Sequence, residues 1–362
     1  MHLFRIAGLV GLLVTVNTAH GAGQLNVYNW NDYVGDNTVA NFGKEFDVKV
    51  KYDLYDANET LQAKLVTGKS GYDIVVPSLE FAAKQIQSGL YLKLDKSKLP
   101  NFNHLDPAIL GKMQSADPGN EYLVPYMWGT TAYGINTERV KQALGGEALP
   151  VDMWELVFNP KYTSKLKSCG ISFMDTGSDV YSMLNIYRGR DANDFSKDAL
   201  EDGNKVLKEI RKDIRVFNSS PINLLADGDT CLALGFNGDV YIARDRAKEA
   251  KKKFSIEYIV PDKGTIVWID AIAIPKDSKN IGNAHQWINY ILRPEVAADI
   301  SNKVNYANPN TKATELVNKS LRDDPKIYMN GEALTKLQPK KPISTEQQRM
   351  ITTYFNRFKA GK

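Results

Sequence analysis

The chain has 362 residues, 43% hydrophobic and 24% charged, with a formal net charge of +4. A single hydrophobic core rarely grows past about 250–300 residues, so two lobes are the default. The balance excludes a disordered, collagen-like or polytopic membrane chain, and the densest basic block, Lys251-Lys252-Lys253, is too short for a nucleic-acid tail.

The first 21 residues read as a secretory signal. Arg5 gives the positive start, residues 6–16 form an apolar run, and Ala19 and Gly21 supply the small residues for cleavage before Ala22. The run is too short to span a bilayer; an uncleaved anchor is the alternative. No later stretch reaches about 18 apolar residues, so the mature chain is expected to be soluble and periplasmic. No Cys lies near the cleavage site, so no lipid anchor is expected.

Residues 24–30 form a strand pattern. Residues 38–46 place Val39, Phe42 and Phe46 at helical spacing, with Asp36 or Asn37 as cap. Residues 49–54 alternate as a strand, and 59–67 form an amphipathic helix closed by Gly68. Residues 73–76 suit a strand buried on both faces, and 81–88 a helix ending at Gly89. This alternation of strand and helix predicts an α/β lobe with a largely parallel sheet.

Residues 122–137 are a long extended stretch, suited to crossing between lobes. A second α/β region follows, with helices at 198–211 and 243–252 and strands at 254–260 and 266–274. Helices are expected at 284–292 and 294–303, a loop at 306–311 and a C-terminal helix at 344–359. No flexible linker separates the lobes, so the chain is expected to cross more than once. The division is 22–130 with 255–305 in an N-terminal lobe, and 131–254 with 306–362 in a C-terminal lobe.

Metal-ligand spacings and the G-x-S-x-G nucleophile elbow do not occur. Gly68-Lys69-Ser70 ends like a phosphate loop, but Ala63 stands where the first glycine is needed. No metal, cofactor or catalytic set is therefore expected, and the reading is not an enzyme. Cys169 and Cys231 would meet an oxidising compartment after export, either as a disulfide or as two buried thiols.

Several strand ends pair an aromatic with an acid: Trp30 and Tyr33 with Asp32, Phe236 with Asp239, and Trp268 with Asp270. Tyr306 lies in a further aromatic loop. Ligands of open α/β sheets bind beyond the carboxyl ends of strands. Acids and aromatics together suit an elongated organic cation. An ammonium needs an ionised acceptor, and aromatic faces attract it at about 0.5–2 kcal/mol each. Each methylene the rings cover adds about 0.8 kcal/mol. Trp30 and Trp268 fit a core equally well, and Asp239 beside Gly238 fits a turn or cap. Asp270, inside an apolar strand run, needs a partner. Asp32 and Asp179 alone read as loop or helix-cap acids.

Together the segments YNWNDY (28–33), GYDIVVPS (71–78), LDKSKLPNF (94–102), VPYMWGTTAYGIN (124–136), CGISFMD (169–175), LADGDTCLALGFNGDV (225–240), WIDAIAIP (268–275), INYILRPEVAADIS (288–301) and YANPN (306–310) carry a family likeness. The chain closely resembles the bacterial periplasmic polyamine-binding proteins, the putrescine-binding type most of all. The resemblance implies the two-lobe periplasmic-binding-protein fold (type II), α/β, with two crossover strands and a cleft between lobes that closes on the ligand. It implies a Cys169–Cys231 disulfide and an aromatic box of Trp30, Phe236, Trp268 and Tyr306. Asp239 and Asp270 fall on its ammonium-binding acids, Asp179 on a further acid, and Asp32, Tyr33 and Ser78 on positions that line or close the cleft.

It also implies partners: a polyamine ligand, and an inner-membrane ABC permease with its ATPase. The reading is a monomeric receptor that takes putrescine first and spermidine second. The alternatives are the same fold with another amine or cationic solute, or an exported amine-acting enzyme. Three positions depart from the family. Phe236 stands where Trp or Tyr is usual, Asp179 where Glu is common, and Asn31 where Ser or Thr is frequent. The shorter Asp179 moves a charge acceptor by about a carbon–carbon bond, comparable with one methylene of ligand.

Overall fold

The computed structural model describes residues 23–362. The secretory signal expected at 1–21 lies outside the described residues.

Strand β1 (Gly23–Trp30) buries Leu25, Val27 and Tyr28 and forms the centre of a three-stranded parallel sheet. Its neighbours are β2 (Val48–Tyr55) and β3 (Ile74–Val75). Parallel neighbours need crossovers, and the helices Thr38–Phe46 and Asn58–Leu65 supply them. The first crosses on its buried Phe42, whose ring meets Trp287 edge-on at 5.0 Å. Asn37 occupies its N-cap position, but its side chain makes no capping bond. The expected local cap is thus replaced by packing, the usual source of helix stability in a folded protein.

Strand β4 (Val124–Asn136) is buried along all 13 residues. Continuous burial explains why its sequence is neither alternating nor helical. Its first part runs antiparallel to β9 (Ile266–Ile272), and its last part pairs with β7 (Leu232–Phe236) and β8 (Ile256–Ile259). The larger sheet is completed by β5 (Ile171–Phe173), β6 (Val216–Phe217) and β10 (Gln338–Pro339). Just past β9, Ala273 bridges to Val75 of β3. The end of β9 therefore reaches the smaller sheet while its start lies in the larger one, and β4 runs beside it. These are two strands passing between two α/β units. Because β8 pairs inside the larger sheet, residues 256–259 go with that sheet, whereas the sequence grouped 255–305 with the other lobe.

One buried cluster joins Leu25, Phe42, Ile74, Trp287 and Ile300 around the smaller sheet. A second runs through Trp154, Phe173, Leu207 and Phe358 and extends to Leu61 and Ala82. The helix Thr345–Lys359 closes the chain, with a capping box between Ser344 and Gln347. Cys169 and Cys231 form a disulfide that spans 62 residues and ties the approaches to the adjacent parallel strands β5 and β7.

One helix starts earlier than its sequence suggests. The helix expected at 243–252 is Asn237–Glu249, so Gly238 and Asp239 lie in its first turn. Gly238 is there for space: a Cβ would stand 2.4 Å from the ring of Tyr306. A tertiary contact, not a turn, requires the glycine.

Among the described residues no helix is long and apolar enough to cross a membrane. No group of three or more His, Cys, Asp or Glu among them could hold a metal ion.

Candidate functional site

Asp270 lies within β9, where the strand passes Ser78 in an isolated bridge. Its side chain is buried, and its two oxygens accept from different hydroxyls. Ser78 Oγ donates to Oδ1 at 2.7 Å and Tyr33 Oη donates to Oδ2 at 3.0 Å. Ser78 is oriented in turn by Asn58, whose amide both donates to its hydroxyl and accepts from its N–H. Tyr33 is held edge-on to Tyr126 and to Tyr306. Burial pushes the Asp270 carboxyl up to about 7, against the two hydroxyl donors; Glu80 raises it further and Lys340 opposes. No Lys or Arg among the described residues forms an ion pair with it. A buried carboxylate with hydroxyl donors and no cation is an acceptor waiting for positive charge.

Asp239 is a second acid without a cation partner among the described residues, half-buried and without hydroxyl donors. It stands in the first turn of Asn237–Glu249, and burial alone pushes its carboxyl up to about 6. It makes no hydrogen bond or ion pair among the described residues. The helix N-terminus favours its charge by less than a bound cation would.

Beside these acids runs a line of rings. Phe236, at the end of β7, meets Trp268 edge-on at 6.3 Å; Trp268 meets Tyr306 at 4.9 Å; Tyr306 meets Tyr33 at 6.0 Å. Two glycines admit this packing. A Cβ on Gly238 would strike Tyr306, and one on Gly129 would come within 2.4 Å of Trp268. Trp268 Nε1 and the Asn237 side-chain nitrogen are buried donors without a partner. An unmatched buried donor costs about 1–3 kcal/mol, which this chain carries beside the rings.

The remaining expected residues separate from this line. Trp30 ends β1, donates from Nε1 to the Val76 carbonyl at 2.8 Å and packs on Tyr55 at 4.5 Å. Among the described residues it makes no ring contact with Phe236, Trp268 or Tyr306. Asp32 is exposed, in a turn with φ +51°. Asp179 is buried in the first turn of the helix Gly177–Tyr187, where its carboxylate pairs with Lys340 at 2.8 Å. Lys340 also reaches Glu80 at 3.3 Å. Burial works against the Lys340 charge, but Asp179 and Glu80 outweigh it and hold the ammonium above its usual range.

Glu80, Lys340, Asn58, Tyr126 and Gly129 have no assigned role in the sequence reading, and Gly238 figures there only as a turn or cap glycine. Glu80 was within reach, two residues past Ser78 at a helix start. Lys340 sits in Pro339-Lys340-Lys341-Pro342, a run with no local signal of burial.

Two α/β units, strands crossing between them and a line of rings beside two acids make the layout of a solute receptor, and the sequence family agrees. The chain belongs to the bacterial extracellular solute-binding proteins, whose family pattern matches residues 37–329. It is 43% identical over 339 residues to the putrescine-binding periplasmic protein SpuD of Pseudomonas aeruginosa, spanning 93% of this chain and 92% of that one. It is 42% identical to the putrescine-binding periplasmic protein PotF of Escherichia coli, over 99% and 98% of the two chains. Its shape is similar to the crystal structure of the spermidine/putrescine ABC transporter substrate-binding protein PotD from Streptococcus pneumoniae. There the TM-score is 0.82 at 26% identity, over 94% and 99% of the chains. The fold is accordingly the two-lobe, type II periplasmic-binding-protein architecture.

Proposed function

We propose that this chain is a periplasmic receptor for a small aliphatic polyamine, putrescine first and spermidine second. It hands the amine to an inner-membrane ABC permease and its ATPase, and binds without turning it over. The carrying observation is the pair Asp239 and Asp270: carboxyls pushed up by burial to about 6 and about 7, without a cation partner among the described residues, beside the rings Phe236, Trp268 and Tyr306. A diamine supplies one ammonium to each. The rings cover its methylenes at about 0.8 kcal/mol per CH₂ and attract its charges.

In this reading the lobes hinge along β4 and β9. Residues 22–130 with 266–305 move against 131–265 with 306–362, since β8 goes with the larger sheet. Trp30 lines the cleft from the end of β1, and Asp32 closes it from the rim. That SpuD and PotF are putrescine-binding periplasmic proteins supports the amine class and the periplasmic address.

The test is calorimetry on protein stripped of ligand by unfolding and refolding. The panel is putrescine, cadaverine, spermidine, spermine, agmatine, GABA and lysine. Tight binding of putrescine, with the amine recovered unchanged, is expected. Refolded protein that binds none of the amines overturns the reading, and consumption of the amine makes it an enzyme.

A further inference from the structure

Lys340 puts an ammonium of the chain's own between two carboxylates, Glu80 and Asp179. It follows β10, which lies beside the start of β9. Its side chain is 17% exposed, and the carboxylates it joins, Glu80 and Asp179, are 13% and 5% exposed. Glu80 stands in the first turn of the helix Leu79–Gln87, which starts directly after Ser78. Ser78 donates to Asp270, so Glu80 and Lys340 stand beside the Asp270 end of the ring line, and both their charges act on Asp270. Asp179 comes from the other lobe, at the start of Gly177–Tyr187.

Two acids and one base leave this group one negative charge, already organised around an ammonium. Asp239 and Asp270 supply the two further negative charges that a diamine needs. A triamine seated on the same two acids has to extend past one of them. Past Asp270 it meets Lys340, a like charge in a place where water cannot screen the repulsion.

We propose that Lys340 is the specificity-determining residue of this receptor, its ammonium filling a cation position built from Glu80 and Asp179, so that the slot favours a diamine over one extended by a third amine. This rests on the amine-receptor reading above. It assigns Asp179 a role different from ligand contact: it holds the resident ammonium. Asp179 reaches the Lys340 ammonium at 2.8 Å.

The experiment compares putrescine and spermidine on ligand-stripped wild type and Lys340→Met by calorimetry. The putrescine Kd is expected to stay within about threefold, while the spermidine-to-putrescine ratio moves at least tenfold toward spermidine. An unchanged ratio overturns the proposal. So does an equal loss for both amines, which makes Lys340 a clamp between lobes. If Lys340→Met does not fold, Lys340→Met with Asp179→Asn removes both members of the closer ion pair and keeps Glu80 for the third amine, with the same ratio as readout. Wild type that binds no putrescine defeats the receptor reading instead, so the two failures are distinct.

Discussion

Asp270 and Asp239 carry the same group beside one aromatic line, and the chain prepares them differently. Asp270 sits on a strand that passes between the lobes, with hydroxyls of Tyr33 and Ser78 already on both oxygens. Asp239 sits on a helix of the other lobe with burial as the cause of its raised titration and no donor of its own. A buried acid can be readied for a cation by fixed donors or simply by removal of water. The first route fixes where the charge lies; the second makes it costly to leave unpaired.

The largest expected effect comes from Asp270→Asn. It removes the charge and leaves an oriented hydroxyl pair facing an amide. Putrescine affinity is expected to fall about 100-fold, or about 3 kcal/mol, the scale of breaking a buried charge pair. Asp239→Asn is expected to cost at least about tenfold, or about 1.4 kcal/mol. Calorimetry on both variants checks the order; a larger loss at Asp239 would reverse the comparison.

The next effect is on pH. Both carboxyls titrate above the unfolded aspartate value of about 3.9. Their contribution to stability is therefore full below about pH 4, and it is lost as pH rises through about 6 for Asp239 and about 7 for Asp270. Putrescine requires the ionised forms and has the opposite sign. Its affinity is expected to be flat above about pH 8, to weaken as pH falls through 7, and to weaken more steeply below 6. Thermal melts with and without putrescine across this range test it: the ligand shift grows with pH, and a constant shift would free both acids from ligand binding.

Tyr33→Phe sharpens the comparison further. It removes one donor from Asp270 and none from Asp239. The upper midpoint of the pH profile is expected to rise above 7 while the lower one stays near 6, with an affinity loss of several-fold at neutral pH and recovery at higher pH. The smallest effect is at the other end of the line. Phe236→Trp offers a richer face to the cation, worth about 0.5–1 kcal/mol, so affinity is expected to rise a few-fold. Titration of that variant checks the direction.

Most elements were legible locally. The helix 38–46 and the extended stretch across β4 stand where periodicity and continuous apolar character put them. The segments that bear Asp239, Asp270, Phe236, Trp268 and Tyr306 could be singled out because acid and aromatic adjoin at strand ends. Gly238 misled, because its requirement comes from Tyr306, remote in the chain.

The sequence by itself determined the elements, the exposure of Asp32 in a loop and the supply of acids and rings. Those follow from neighbours along the chain, through periodicity, caps and turns. Only the tertiary structure decided which acids are free. Asp179 and Asp270 look alike in sequence, as single acids near an element end or within an apolar run. Folding gives Asp179 a lysine from beyond β10 and gives Asp270 two hydroxyls and no cation. Charge pairing depends on distance through space, and burial multiplies its strength; neither quantity is written in local sequence.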